Sequence, residues 1–178
     1  MDAPKGACRL THDQLVEHAA GWALALVPST MGDLDGRLRA DSAALRGRLA
    51  LPLLVAAACT GRGADRHRLD RLARAARAAG AGLLATGDVR YHNAGRRRLA
   101  DVLTAIRLGT TVDALGFAAE PNAERCLKPP AEMARLFGDH PEALANTLRV
   151  LEAASGCTAR IASPACARAH GCGCPGWC

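Results

Sequence analysis

Apolar residues fall along this chain in two rhythms: short uninterrupted blocks and longer stripes at helical spacing. The clearest block is Gly82-Leu83-Leu84-Ala85-Thr86, brief, uncharged and bounded by glycines at 82 and 87, and it predicts a buried strand. Ala23 to Val27, closed by Pro28, predicts another. Leu49 to Ala58 is apolar throughout and predicts a buried strand or a short core helix. Pro52 inside it favours a strand that bends or lies near an edge.

Between the blocks the period changes to that of a helix. At residues 10 to 20, Thr11 with Gln14 forms a capping box and Leu10 with Leu15 a hydrophobic staple, with Gly21 as the stop. Asp33 to Arg48 predicts a surface helix on Leu34, Leu38 and Leu45. After the turn Thr60-Gly61-Arg62-Gly63, Asp65 opens a helix that ends at Gly80. It carries Leu69, Leu72, Ala76 and Ala79 inward, and Arg66, Arg68, Arg71, Arg74 and Arg77 outward. Arg96, Arg97 and Arg98 begin the next helix, whose stripe is Leu99, Val102, Leu103 and Ile106. Thr110 or Thr111 caps a short turn around Val112 to Leu115. A polar connector from Asn122 leads to Pro130, which opens a short helix bearing Met133, Leu136 and Phe137. Asp139 is the expected cap of a last helix, with Pro141 and Glu142 in its first turn and Leu144, Leu148 and Leu151 inward.

Strand, helix, strand and helix joined by connections too long for hairpins predict an α/β fold with parallel strands, a layer or a barrel. About three strands are visible and a closed (β/α) barrel needs more, so the expected architecture is a partial barrel. Such a seam would leave unpaired strand edges, with aggregation or a partner as the consequence.

Composition narrows this only a little. A chain of 178 residues, 49% apolar, is long enough for one domain with a core. Aromatics are 3%, so alanine and leucine must fill that core. The net charge of +6 comes from arginine, which a polyanion would attract and which GC-rich coding also favours. No apolar run reaches membrane-spanning length and no signal-peptide core follows the start, so a cytoplasmic location with no membrane partner is expected.

Candidate chemistry gathers after the Gly82–Thr86 block, where Asp88, Arg90, Tyr91 and His92 stand on a strand-to-helix loop. Ligands collect at the carboxyl ends of parallel strands, so that loop is either a site around Asp88 or a solvated turn. His12 and His18 read as exposed surface histidines. The arginines of the two basic helices read as solvated faces, with contact to a phosphate backbone as the alternative. Cys166, His170, Cys172, Cys174 and Cys178 crowd the end, but their spacing fits none of the usual Cys-x2-Cys metal pairs. An irregular, oxidation-prone tail is expected there instead.

The order ATGDVRYH, RRRLADVLTAIRLGTTVD, NAERCLKPPAEMARLFGDHPEALANTLRVLE closely resembles the bacterial C-family DNA polymerases. The error-prone branch is the best match, with the replicative polymerase III alpha subunit a near relative. The similarity spans about residues 5 to 153 in one collinear order, which is stronger than any single motif. It implies that residues 1–120 are the later half of a polymerase and histidinol phosphatase (PHP) domain, a distorted (β/α) barrel. Residues 121–154 would be a helical connector towards the palm, and 155–178 an irregular tail that a frameshift would explain.

The resemblance also implies a site and its failure. Asp88 matches the aspartate of a PHP Asp-x-His metal motif, with His92 a weak second candidate, while Arg90 stands where the motif has histidine. A guanidinium offers no lone pair and repels a divalent ion, so Asp88 and Arg90 are expected to form a salt bridge or loop brace. The intact family uses divalent metal (Mg, Mn or Zn), whereas no cofactor and no catalytic residue are expected in this chain. The family's palm aspartates have no counterpart here. The expectation is therefore a fragment of an error-prone DNA-directed DNA polymerase, a nucleotidyltransferase of DNA repair and translesion replication, inactive alone. Its partners would be DNA and the rest of the polymerase chain, with weak nucleic-acid contact at Arg96, Arg97 and Arg98. The alternatives are a stand-alone PHP-type phosphoesterase using Asp88 and His92, or a basic nucleic-acid-binding remnant.

Overall fold

The computed structural model describes residues 10–28 and 34–161. Cys8 and the cysteines and histidine from Cys166 to Cys178 lie outside the described residues. The elements in chain order are α1 (His12–His18), β1 (Ala25–Leu26), α2 (Leu34–Leu45), β2 (Leu54–Ala58), α3 (Asp65–Ala79), β3 (Gly82–Thr86), α4 (Arg97–Leu108), α5 (Pro130–Leu136) and α6 (Pro141–Ile161). Short 3-10 turns occupy Ala94–Arg96, Val112–Ala114 and Gly116–Ala118.

The strands form one parallel sheet in the order β1-β2-β3, with Val55 opposite Leu83 and Leu26 opposite Val55. An open, mixed α/β layer is thus what the described residues build. The apolar block from Leu49 resolves as a strand, and β2 is the central one. Pro52 does not bend it or push it outward, because pairing begins only at Leu54, where an N–H is again available. Central position also explains the unbroken apolar run: a covered parallel strand buries both faces, and Leu54, Val55, Ala57 and Ala58 are all buried.

Helices α2 and α3 pack on the sheet through Leu38, Leu45, Leu69, Leu72, Ala73 and Ala76, which meet Val55, Ala57, Leu83 and Ala85 in one core. Small alanines let α3 lie close to the strands. Its end is set by Gly80, at φ 69°, whose N–H reaches the Ala76 and Arg77 carbonyls. The Thr11 capping box forms with both of its hydrogen bonds. His12 stands 3.0 Å from Asp41, and His18 bonds the Gln14 carbonyl, so both act within the surface. Phe137, 1% exposed, closes the core from the end of α5.

Helix α6 differs from its sequence expectation, and for an instructive reason. Leu148 and Leu151 face solvent at 61% and 63% exposure, while Leu144 packs against the core as expected and Ala143 is fully buried. The face turned to the sheet carries Asn146 and Thr147. Asn146 Nδ2 donates to the Leu83 carbonyl at 2.7 Å and Thr147 Oγ1 to the Ala85 carbonyl at 3.2 Å. These are carbonyls on the outer side of β3, so the helix supplies the hydrogen bonds a fourth strand would have made. The expected open seam is closed on this side. A Cβ at Gly82 would lie 2.9 Å from both Asn146 Nδ2 and Leu54 Cδ2, so a larger residue there would have to displace one of these side chains. Asp139 does not sit next to the helix's first residue; it faces Arg66 of α3 at 3.5 Å. Helix α6 also extends to Ile161, past the boundary at 154 drawn from sequence.

The stripe on α4 is the second departure. Leu99, Val102, Leu103, Ile106 and Leu108 are 41% to 70% exposed, and the buried positions of that helix are Asp101 and Ala105. The amphipathic pattern is real, but its apolar side looks outward. No helix among the described residues is long and apolar enough to cross a membrane.

Candidate functional site

The loops that follow β2 and β3 meet at the carboxyl end of the sheet, where the segment from Glu120 to Lys128 crosses both. Asn122 Nδ2 donates to the Thr60 and Gly61 carbonyls at 2.7 and 3.3 Å, which ties down the loop after β2. The loop after β3 is held by a short parallel ladder: Arg90 N–H to the Arg125 carbonyl, and Leu127 N–H to the Tyr91 carbonyl. The connector is therefore a strap bonded across the strand ends.

Asp88 stands at the centre with φ +45°, the one non-glycine among the described residues in the left-handed region. That backbone costs about 1–2 kcal/mol, least for Asp and Asn, and must be held by its surroundings. Arg125 holds it twice. Its Nε donates to the Asp88 carbonyl at 3.1 Å and its Nη2 to the Asp88 carboxylate at 2.7 Å. The remaining arm, Nη1, reaches Glu120 Oε1 at 3.2 Å. Arg90 also turns to Glu120, at 2.9 Å. The expected Asp88–Arg90 pair is replaced by a chain of pairs, Asp88–Arg125–Glu120–Arg90, because the strap brings a better-placed guanidinium to the aspartate.

A second acid anchors the strap from below. Asp101, buried on the inward side of α4, accepts the Glu120 backbone N–H at 2.9 Å and lies 3.6 Å from Arg97. Arg97 is thereby drawn into the network, whereas Arg96 and Arg98 remain exposed. His92 is exposed. Arg125, Glu120 and Asp101 do not stand out in the sequence, since they lie in a connector and on the polar side of a helix. A lone acid opposite a leucine stripe was the available signal for Asp101.

The donor set does not suit a divalent ion. The carboxylates here are Asp88, Glu120 and Asp101, and each is matched by an arginine. Among the described residues no three His, Cys, Asp or Glu side chains are grouped to share a metal.

Tyr91 reports on this interior. Its hydroxyl donates to the Asn122 carbonyl at 3.2 Å. Burial pushes its pKa up, and the nearby Glu120 carboxylate raises it further. Because the fold favours the neutral phenol, Tyr91 adds stability below about pH 10, and that contribution is lost as pH rises through the elevated value. Tyr91 is the chain's single tyrosine, so tyrosinate absorbance reads it directly. The expected midpoint lies above the ordinary phenol value of about 10 and falls partway back in Glu120→Gln; a midpoint at or below the ordinary value would contradict the arrangement.

The chain shares 48% identity over 145 residues, 82% of its length, with the error-prone DNA polymerase of Bradyrhizobium sp. (strain ORS 278). It is 46% identical over 157 residues to that of Mesorhizobium japonicum, and 45% identical over 147 residues to that of Brucella abortus. The resemblance to this polymerase family read from the sequence is thus borne out over most of the chain. The chain spans only 12% to 13% of the length of these relatives. No family model matches it.

Proposed function

We propose that this chain is a non-catalytic segment of an error-prone DNA polymerase, corresponding to part of its PHP domain and the connector towards the palm. In this reading the whole polymerase acts on DNA as a nucleotidyltransferase in repair and translesion replication in the cytoplasm, while this segment supplies framework. The observation that carries it is Arg125 on Asp88. The carboxylate that a PHP metal site would use is engaged by a guanidinium at 2.7 Å, and the neighbouring motif position is Arg90. Such a loop serves as a latch holding the strap to the strand ends.

The outward leucine stripe of α4 supports the same reading. An exposed apolar face of this kind marks a surface that another segment covers. The relatives offer that segment, since most of their length lies outside the matched region.

The purified chain, mixed with Mn2+, Zn2+ or Mg2+, is expected to show no saturable metal binding by calorimetry, no phosphomonoester hydrolysis and no primer extension. One tightly bound ion that disappears in Asp88→Ala, accompanied by turnover, would overturn this and establish the stand-alone phosphoesterase.

A further inference from the structure

Several arginines of the described fold have partners. Arg66, Arg90, Arg97, Arg125 and Arg135 face acids, and Arg68, read from sequence as outward, turns in to donate to the Ala58 carbonyl at 2.7 Å. The outer face of α3 sets three others in one row. Arg71, Arg74 and Arg77 are exposed at i, i+3, i+6, and among the described residues none has an ion pair or hydrogen bond to a side chain or carbonyl. This spacing sets neighbouring guanidinium groups about 4.5 Å apart along the axis, where like charges repel. Of the acids on or beside α3, Asp70 lies 2.9 Å from His140 and Asp139 3.5 Å from Arg66. At the end of α3, Arg46 extends the row, its Nη2 lying 3.6 Å from the Cβ position of Gly80. On the adjoining helix α2, Arg37 and Arg39 are exposed as well.

A line of uncompensated, permanently charged guanidinium groups on a rigid helix is complementary to a polyanion with closely spaced charges. Guanidinium suits phosphate oxygens in particular, through paired N–H donors. Phe, Tyr and Trp are lacking on α3, whose one ring is that of His67, so the contact would be mainly to the backbone and independent of sequence. We infer that the outer face of α3, through Arg71, Arg74 and Arg77 with Arg46 at its end, is a docking surface for the sugar-phosphate backbone of DNA. The choice of DNA among polyanions rests on the polymerase reading; the surface itself rests on charge placement.

The test is fluorescence anisotropy of a short labelled duplex with the full chain at several salt concentrations. Arg71→Gln, Arg74→Gln and Arg77→Gln together should weaken binding and reduce the slope of log K against log salt by roughly 0.9 for each phosphate that is no longer neutralised. Arg96→Gln with Arg98→Gln, at the start of α4, should leave the slope unchanged. Far-ultraviolet circular dichroism checks that the α3 variant, which keeps good helix formers, is folded. An unchanged slope in the folded α3 variant, an equal loss in the α4 variant, or binding to anionic phosphatidylserine vesicles without binding to DNA would each overturn the inference. Metal-dependent turnover together with slope loss confined to α3 would remove the framework reading and keep the DNA surface, so the two fail separately.

Discussion

Replacing Arg125 with alanine is expected to lower the free energy of unfolding by about 3 kcal/mol, the usual cost of breaking a buried pair from one side. The reason is the environment of Glu120. Its side chain is 6% exposed, and its Oε2 has no hydrogen-bond partner among the described residues. Arg125 and Arg90 share the task of neutralising its other oxygen, and Arg90 does so from a half-exposed position. Without Arg125 the carboxylate keeps only the half-exposed Arg90, and Asp88 loses both bonds that hold its left-handed backbone. Arg125→Lys should recover part of the loss, since an ammonium keeps the charge but cannot fork between two acids and a carbonyl. Urea denaturation measures both. A cost below about 1 kcal/mol would place the network with ordinary surface pairs and leave the strap without its latch.

The second large effect belongs to the core. Phe137→Ala should cost about 3–5 kcal/mol in the same assay, against total stabilities of about 5–15 kcal/mol for folded domains. Phe137 is among the largest fully buried side chains, and few aromatics exist to substitute for it. It packs into the same cluster as Val55, Leu69 and Ala143. The neighbouring Leu136 carbonyl faces the Cys59 thiol at the end of β2, so the loosened segment adjoins the strand ends. Much of the variant is therefore expected to be unfolded at modest urea concentrations. A loss under about 1 kcal/mol would mean that α5 is not part of the cooperative unit.

What was legible in the sequence follows the range of the forces involved. The strand at Gly82–Thr86, the Thr11 capping box and the Gly80 stop depend on residues within a few positions, and each forms as read. The orientation of α4 was not legible. Periodicity shows that a helix has an apolar side, not that the partner of that side lies within the same fold. On α6 Leu144 meets the core as its stripe suggests, but Leu148 and Leu151 do not, because β3 offers open carbonyls that Asn146 and Thr147 turn to bond. The site was half legible. Asp88 and Arg90 were found from their loop, while Arg125, 37 positions away, enters through tertiary contact that no local pattern encodes.

The way α6 lies along β3 gives this small sheet a direction. Its carbonyls there are already spoken for by an amide and a hydroxyl, so enlargement from that flank would first require dislodging a helix. The two-residue β1 presents the opposite situation, with β2 as its only ladder partner among the described residues. Any further strand would therefore pair beside Ala25 and Leu26. Growth of the sheet is thus one-sided, proceeding away from α6.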